Sequence, residues 1–314
     1  MSKFKPLLLI YPDNSQSTLA AVKQFVDNVA RRTNGQITIA AVPISKLVNQ
    51  PVLVDMVIDG YADMALPAHD RLRACSKIFG CIGAPFAFDD YAHADRVLDG
   101  EFADHVRPDL EKTGMVYLGS WEWGFRQITN SRHPILDPEN MRGLKIRVPT
   151  TPLCQNMIRA LGSTPVMVEF EQLARAIRQG LIDGQENPIE IIHALGLQQT
   201  QKYLCLLNYS YGTLAHVFNK NRFDNLTPTQ QMILHEESRK AGQLMRQLTR
   251  SRETEQLAEF ASNGVQIDRP DQSAFKALMA PVYAGMRESF GPETVRTFLD
   301  MVERQRKAPR LETL

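Results

Sequence analysis

The sequence predicts an α/β protein of two lobes, on three observations. Strand-like and helix-like segments alternate through the first two thirds of the chain, the rhythm of a mostly parallel, helix-covered sheet. The 314 residues amount to about two domains at the usual ~150 residues each. One helical pattern, opening at Thr227-Pro228 and running with no further Pro to Asn263, would be about 50 Å long at ~1.5 Å per residue. That exceeds the width of a small domain, so the helix is expected to brace both lobes; the alternative is two helices broken near Gly242.

Taken in order, Leu7–Tyr11 between Pro6 and Pro12 reads as a buried first strand. Asn14 or Ser15 can cap a helix with Leu19, Val22, Val26 and Val29 on one stripe, ended by Gly35. Ile37–Val42 is a strand. Pro51 opens a short helix carrying Leu53, Val54, Val57 and Ile58, stopped by Gly60, and Ala62–Leu66 is the next strand. A second run repeats the rhythm. Met115–Gly119 and Gly143–Pro149 are strands, Pro152–Leu161 a helix, Thr164–Val168 a strand and Glu169–Gln179 an amphipathic helix. Tyr203–Leu207 and Thr213–Asn219 read as strands crossing between lobes. Thr227-Pro228-Thr229-Gln230 is a capping box with Pro at the first helical position. Helices near Phe275–Phe290 and Glu293–Arg304 close the chain. The lobes are expected to comprise residues 1–122 with about 212–250, and 123–211 with about 251–314.

Composition narrows the function. With 36 Lys and Arg against 35 Asp and Glu, the net charge is +1, without the basic surplus of a nucleic-acid binder. At 43% hydrophobic and 23% charged residues, the chain can bury a sizeable core. No apolar run approaches the ~18 residues of a membrane span. Leu7–Tyr11 is shorter than the ~7–15-residue apolar core of a signal peptide, so the chain reads as cytosolic or as an exported protein lacking its leader. Cys75, Cys81, Cys154 and Cys205 have no Cys-x-x-Cys spacing, which weakens zinc and redox readings. Four buried thiols are the favoured reading, with a Cys75–Cys81 bridge left open.

Catalytic and cofactor signatures are missing: no Gly-x-Gly-x-x-Gly, no P-loop and no Gly-x-Ser-x-Gly occurs. His235-Glu236 starts a zincin-like string, but Arg239 stands where a second His is needed. A two-lobed α/β chain without such signatures points to binding, with no cofactor or metal. Two arginines stand out. Arg126 lies in Trp121-Glu122-Trp123-Gly124-Phe125-Arg126, and Arg147 sits between Ile146 and Val148 in an otherwise apolar strand. On the alternating pleat Arg147 faces away from both neighbours, and a guanidinium there needs a partner. A carboxylate held by two parallel N–H···O bonds suits it; an internal ion pair or a snorkelling side chain is the bland alternative.

Several segments in order resemble one family. Gly124-Phe125-Arg126-x-x-Thr129-Asn130, Gly143-Leu144-Lys145-Ile146-Arg147-Val148-Pro149 and Gly180-Leu181-Ile182-Asp183-Gly184-Gln185-Glu186-Asn187-Pro188 are similar to the DctP-like solute-binding proteins of tripartite ATP-independent periplasmic (TRAP) transporters. So are Arg32-Thr33-Asn34-Gly35-Gln36-Ile37, Gly60-Tyr61-Ala62-Asp63-Met64-Ala65 and Ala84-Pro85-Phe86-Ala87-Phe88, over residues ~4 to ~300. The resemblance implies a two-lobed periplasmic-binding-protein fold with hinge-crossing strands and a long bracing helix. It implies a monomer that closes on a small organic acid and delivers it to the TRAP permease subunits. Arg147 would clamp the carboxylate, Arg126 would add a second cationic contact, and Asn187 would hydrogen-bond the same group or a hydroxyl. Phe170 would pack on the ligand, and Tyr211 at the crossover would touch it. Trp123 departs from the small amide of many relatives, so Trp121 and Trp123 are expected to line or narrow the site. His69-Asp70, after the Ala62–Leu66 strand, would read hydroxyls or an amine. The competing class, a carboxylate-processing enzyme, would need Glu122, His69 or Asp70 as its base; a soluble organic-acid sensor is the third reading.

Overall fold

The computed structural model describes residues 6–13, 15–46 and 52–307. Asn14 and Pro51 lie outside those residues. The described chain starts with β1 (Leu7–Tyr11). The Ser15 hydroxyl accepts from the Thr18 amide at 3.3 Å and caps α1 (Gln16–Arg32). Its buried stripe runs through Thr18, Val22, Phe25 and Val29, while Leu19 is 41% exposed. The Phe25 ring, absent from the expected stripe, rotates the helix so that Leu19 faces outward.

β1 pairs in parallel with β2 (Ile39–Pro43) and β3 (Met64–Ala65), with α2 (Leu53–Ile58) between those two strands in sequence. α3 (Tyr91–Asp99) and α4 (Glu101–Lys112) lead into β4 (Met115–Asn130). The second half-sheet holds β5 (Lys145–Val148), β6 (Thr164–Met167) and β7 (Gly184–Pro188), with α5 (Pro152–Ala160), α6 (Leu173–Arg178) and α7 (Ile189–Ala194) in the same stretch. β8 (Tyr203–Asn219) and α8 (Lys220–Asp224) follow, then α9 (Pro228–Ser262), β9 (Gln266–Asp268), α10 (Gln272–Ala277), α11 (Ala280–Phe290) and α12 (Pro292–Lys307). The strand order is β2-β1-β3-β8-β4-β7-β5-β6, with β9 added to β8.

β4 and β8 are the crossing strands. They run antiparallel along each other, so β3 docks on β8 at one end and β7 on β4 at the other. β4 was expected to end at Gly119 and β8 to be two strands, because bulges hide the period-2 pattern. The register shifts between Tyr117 and Gly119, between Glu122 and Gly124, and between Arg126 and Ile128. Gly119 (φ +150°) and Gly124 (φ +101°) take up backbone angles that a side chain resists. Opposite Arg126 and Ile128, β8 steps from Ser210 to Cys205.

α9 is one helix of 35 residues. Thr227 and Gln230 form the expected capping box, each side chain accepting from the other's amide, at 3.3 and 3.0 Å. Gly242 does not break it. A Cβ there would lie 2.9 Å from the Ser120 carbonyl oxygen and 3.0 Å from Trp121, so the glycine lets α9 lie directly on β4. Leu234, Ala241 and Met245 pack with α1 in one cluster, and Phe260 packs with Leu173 and Ile177 of α6 in another. The helix therefore touches both halves.

The closing helices divide between the halves. Phe275, Met279 and Val282 pack on Ile146 and Met157, whereas Val295, Phe298 and Met301 of α12 pack with Val97 and Phe102. The expected single helix over Phe275–Phe290 is split into α10 and α11, with Pro281 in the first turn of α11. All four cysteines are free. Among the described residues, no helix is long and apolar enough to cross a membrane.

Candidate functional site

A cleft of about 480 Å³ opens between the halves. One wall is the short 3-10 helix His69–Ala74 after β3; the other is the end of β5, the start of α5 and Phe170. Arg126 of β4 and Tyr211 of β8 lie on the crossing strands between them.

Arg147 lines this cleft and is 3% exposed. Ile146 and Val148, its neighbours on β5, are fully buried in the apolar core, so alternation turns the guanidinium away from that core. Its Nε donates to the Val168 carbonyl at 2.8 Å. Among the described residues no carboxylate pairs with it. Burial lowers its pKa, Glu186 pulls the other way and the positive charge of Arg126 adds to the lowering. A desolvated guanidinium without a paired acid is costly to keep, and an anion placed beside it removes that cost.

Arg126 is a different case. Its Nη2 donates to Glu186 Oε1 at 2.7 Å, and its Nε donates to Oε2 of the same carboxylate. Glu186 is fully buried and also accepts from the Tyr209 hydroxyl at 2.6 Å. Burial opposes the charge on Arg126, but Glu186 outweighs it and the pKa is raised. Arg126, expected as a second cationic contact, lines the cleft but is already ion-paired within the protein. Glu186 neutralises Arg126, and only Nη1 has no partner among the described residues.

Asn187 sits at the junction. Its Oδ1 accepts from Arg126 Nη2 at 3.3 Å and its Nδ2 donates to Gln185 Oε1 at 2.5 Å. Gln185 donates to Thr129 at 2.9 Å, and Thr129 donates to Gln201 at 3.0 Å. This buried relay fixes the amide and leaves one Nδ2 proton uncommitted.

Of the remaining expected residues, Phe170, Trp123, His69, Asp70 and Tyr211 line the cleft. The Tyr211 hydroxyl donates to Glu122, so the ring and not the hydroxyl is offered to the cleft. Trp123 Nε1 donates to Asp13 at 2.8 Å, holding that indole at the rim. His69 Nδ1 lies 2.8 Å from the Thr213 carbonyl oxygen. The Thr213 amide also approaches Nδ1, at 3.3 Å; the shorter contact is to a carbonyl, which only accepts, and favours the tautomer with the proton on Nδ1 and Nε2 as acceptor. Burial lowers the His69 pKa, which keeps the ring neutral.

Trp121 is a correction. It is 1% exposed, donates to the Ser238 carbonyl at 3.1 Å and packs in the core between β4 and α9, outside the cleft. The bulge between Glu122 and Gly124 breaks the two-residue alternation that would have put both tryptophans on one side. Glu122 is also withdrawn. It is fully buried and held by Arg250 at 2.6 and 3.0 Å, so it cannot serve as a base in the cleft.

Glu186 was not foreseen as the partner of Arg126. The signal was present in Gln185-Glu186-Asn187: three consecutive polar residues in one strand, all at most 5% exposed, imply a hydrogen-bonded network. Arg71 and Thr151 also line the cleft and were not singled out.

Residues 10–289 match the family described as bacterial extracellular solute-binding protein, family 7. The chain is 31% identical to the 2,3-diketo-L-gulonate-binding periplasmic protein YiaO of Escherichia coli, over 79% of this chain and 75% of the relative. Among solved structures, a TRAP periplasmic solute-binding protein from Polaromonas, bound to D-erythronate, superimposes with a TM-score of 0.87. It is 26% identical, covering 94% of this chain and 98% of the other. A TRAP periplasmic solute-binding protein from Ralstonia eutropha, with bound (S)-2-acetolactate, gives a TM-score of 0.89. It is also 26% identical, covering 96% and 100% of the two chains.

Proposed function

Because the chain belongs to the bacterial extracellular solute-binding proteins of family 7, we propose that it captures a small organic acid by clamping the carboxylate on Arg147 and hands it to a TRAP membrane permease. The observation that carries this reading is the state of Arg147: nearly buried, lining the cleft, and paired with no acid among the described residues. Nη1 and Nη2 can hold a carboxylate in the bidentate geometry that favours arginine. Arg126 Nη1 and the free Nδ2 proton of Asn187 add two donors. At about 1.5–3 kcal/mol for each charge-assisted bond, three or four of them support micromolar or tighter binding, near −8 kcal/mol.

The capture cycle follows from where the donors sit. Arg147 and Phe170 belong to one wall, His69 and Asp70 to the other, and the crossing strands carry Arg126 between them. A ligand touching both walls binds the closed form more tightly, and that difference in affinity drives closure. The closed, loaded form is what the permease recognises. The family's members named above are periplasmic proteins, and the same compartment is proposed for this chain.

The test is calorimetric. Thermal-shift screening of organic acids identifies the acid that raises the melting temperature most. Isothermal titration with that acid should then show Arg147→Lys binding at least about tenfold more weakly, since an ammonium cannot reproduce the planar fork. Equal affinities for variant and wild type would remove the clamp.

A further inference from the structure

Glu190 stands apart from the clamp and raises its own question of charge. It lies in the first turn of α7 and is 6% exposed. Among the described residues no Lys or Arg pairs with it, and a buried carboxylate without a counter-ion is costly unless other donors hold it. Two do. The Ser17 amide donates to Oε1 at 2.9 Å, and the Thr249 hydroxyl donates to Oε2 at 3.3 Å. Ser17 is the second residue of α1, so its amide has no acceptor within the helix, and a helix amino terminus favours an anion.

These donors lie outside the half that carries Glu190. Ile189 and Ile192 of α7 pack in one cluster with Leu173 and Ile177 of α6, in the second half. Phe25 and Val29 of α1 pack with Leu9 of β1, in the first. Thr249 sits on the bracing helix α9. The contact runs beside the cleft without entering it. Pro12 and Asp13, ahead of α1, and Asn187 and Pro188, ahead of α7, line the cleft; Ser17, Glu190 and Thr249 do not. A hydrogen bond of 2.9 Å is gone beyond about 3.5 Å, so parting the two loops breaks it. Ser17 also carries a fully buried hydroxyl that makes no hydrogen bond among the described residues. It is a spare donor on the residue that already holds the carboxylate, whose two oxygens can accept about four bonds.

Resting on the capture cycle above, we propose that Glu190 is a positioning residue for capture: its carboxylate joins the second half to the amino terminus of α1 when the halves close. It touches no solute and acts on the population of the closed form. Losing it therefore lowers the apparent affinity for every solute by one common factor. A residue that touches the solute instead changes the affinities for different acids by different factors.

The experiment is isothermal titration of the full chain, as wild type, Glu190→Ala, Glu190→Gln and Thr249→Val, with D-gluconate, D-galacturonate, D-erythronate, succinate and L-lactate. Each acid that binds the wild type should bind Glu190→Ala about tenfold more weakly, in an unchanged rank order. Stopped-flow measurements should assign that loss to faster dissociation. Thr249→Val, which removes one donor, should lose about threefold. Glu190→Gln keeps an oxygen for the Ser17 amide and should recover part of the affinity. Urea unfolding confirms that each variant is folded under the titration conditions, where lower stability alone leaves the affinity unchanged; if Glu190→Ala does not fold, the other two variants carry the test. The proposal is overturned if the folded variants bind every acid as tightly as wild type, or if their losses differ between acids. It also falls if none of the five acids binds the wild type at millimolar concentration. Failure of the clamp looks different: Arg147→Lys would then leave the affinities unchanged while the Glu190 variants lower them.

Discussion

Single side chains in this protein divide into those that hold the site in shape and those that meet the ligand. Glu186 belongs to the first group. Removing its charge strands the Arg126 guanidinium in the interior, and breaking a buried ion pair on one side costs about 3–5 kcal/mol. Glu186→Gln should therefore lower the unfolding free energy by roughly that amount in urea titrations, without any ligand present; a change below about 0.5 kcal/mol would show that the pair is not structural. His216 sets the acid limit of the fold. It is fully buried on β8, its Nδ1 is 2.8 Å from the Ser238 hydroxyl, and burial pushes its pKa down from 6.5 to about 3. Between those two values the unfolded chain holds a proton that the folded chain does not, so stability falls as pH drops below 6.5. The slope from this one residue is about 1.4 kcal/mol per pH unit. Urea unfolding at pH 7, 6 and 5 should show that loss, and His216→Gln should flatten it; an unchanged slope in the variant would assign the loss to other groups.

Elements explain why parts of the site were legible in the sequence and others were not. Arg147 was readable because a charged residue between Ile146 and Val148 in a short strand can face only one way. Asn187 and Phe170 came from the family resemblance; Asn187, expected in a loop after a strand, lies within β7 itself. Trp121 was misplaced because its position depends on a bulge in β4, a tertiary feature with no local signature. Glu186 was missed as a partner because its acceptor role requires β7 to pair with β4, which joins residues 60 apart in sequence. The length of α9 was readable from its capping box and from the absence of any Pro after Pro228, but the role of Gly242 was not. It is the point where α9 rests on the Ser120 carbonyl, and Gly242→Ala forces the two elements apart. The expected cost is about 1–3 kcal/mol, even though alanine is the better helix former. A melting temperature at or above that of wild type would mean that α9 and β4 can separate without loss.

At the scale of the whole molecule, one sheet carries both halves, and the cleft depends on the two strands that run through it. Contacts between the halves also occur outside the cleft. The Glu190 carboxylate at the start of α7 accepts from the Ser17 amide in the first turn of α1 at 2.9 Å, and from Thr249 of α9 at 3.3 Å. An acidic group at a helix amino terminus is favourable, so this contact ties α1 to the other half beside the bracing helix. In the proposed capture cycle, the glycine-bearing bulges of β4 and the register step of β8 would take up the backbone adjustment of a closing rotation. On that proposal the two walls would meet through the solute, with the buried guanidinium of Arg147 on β5 at the centre of the contact. A crystal structure of the chain with its bound acid is the most direct check. The account predicts closed halves and a carboxylate whose two oxygens lie about 2.7–2.9 Å from Nη1 and Nη2 of Arg147. An Arg147 side chain turned out of the cleft, or joined to a protein carboxylate while the acid lies elsewhere, would contradict it.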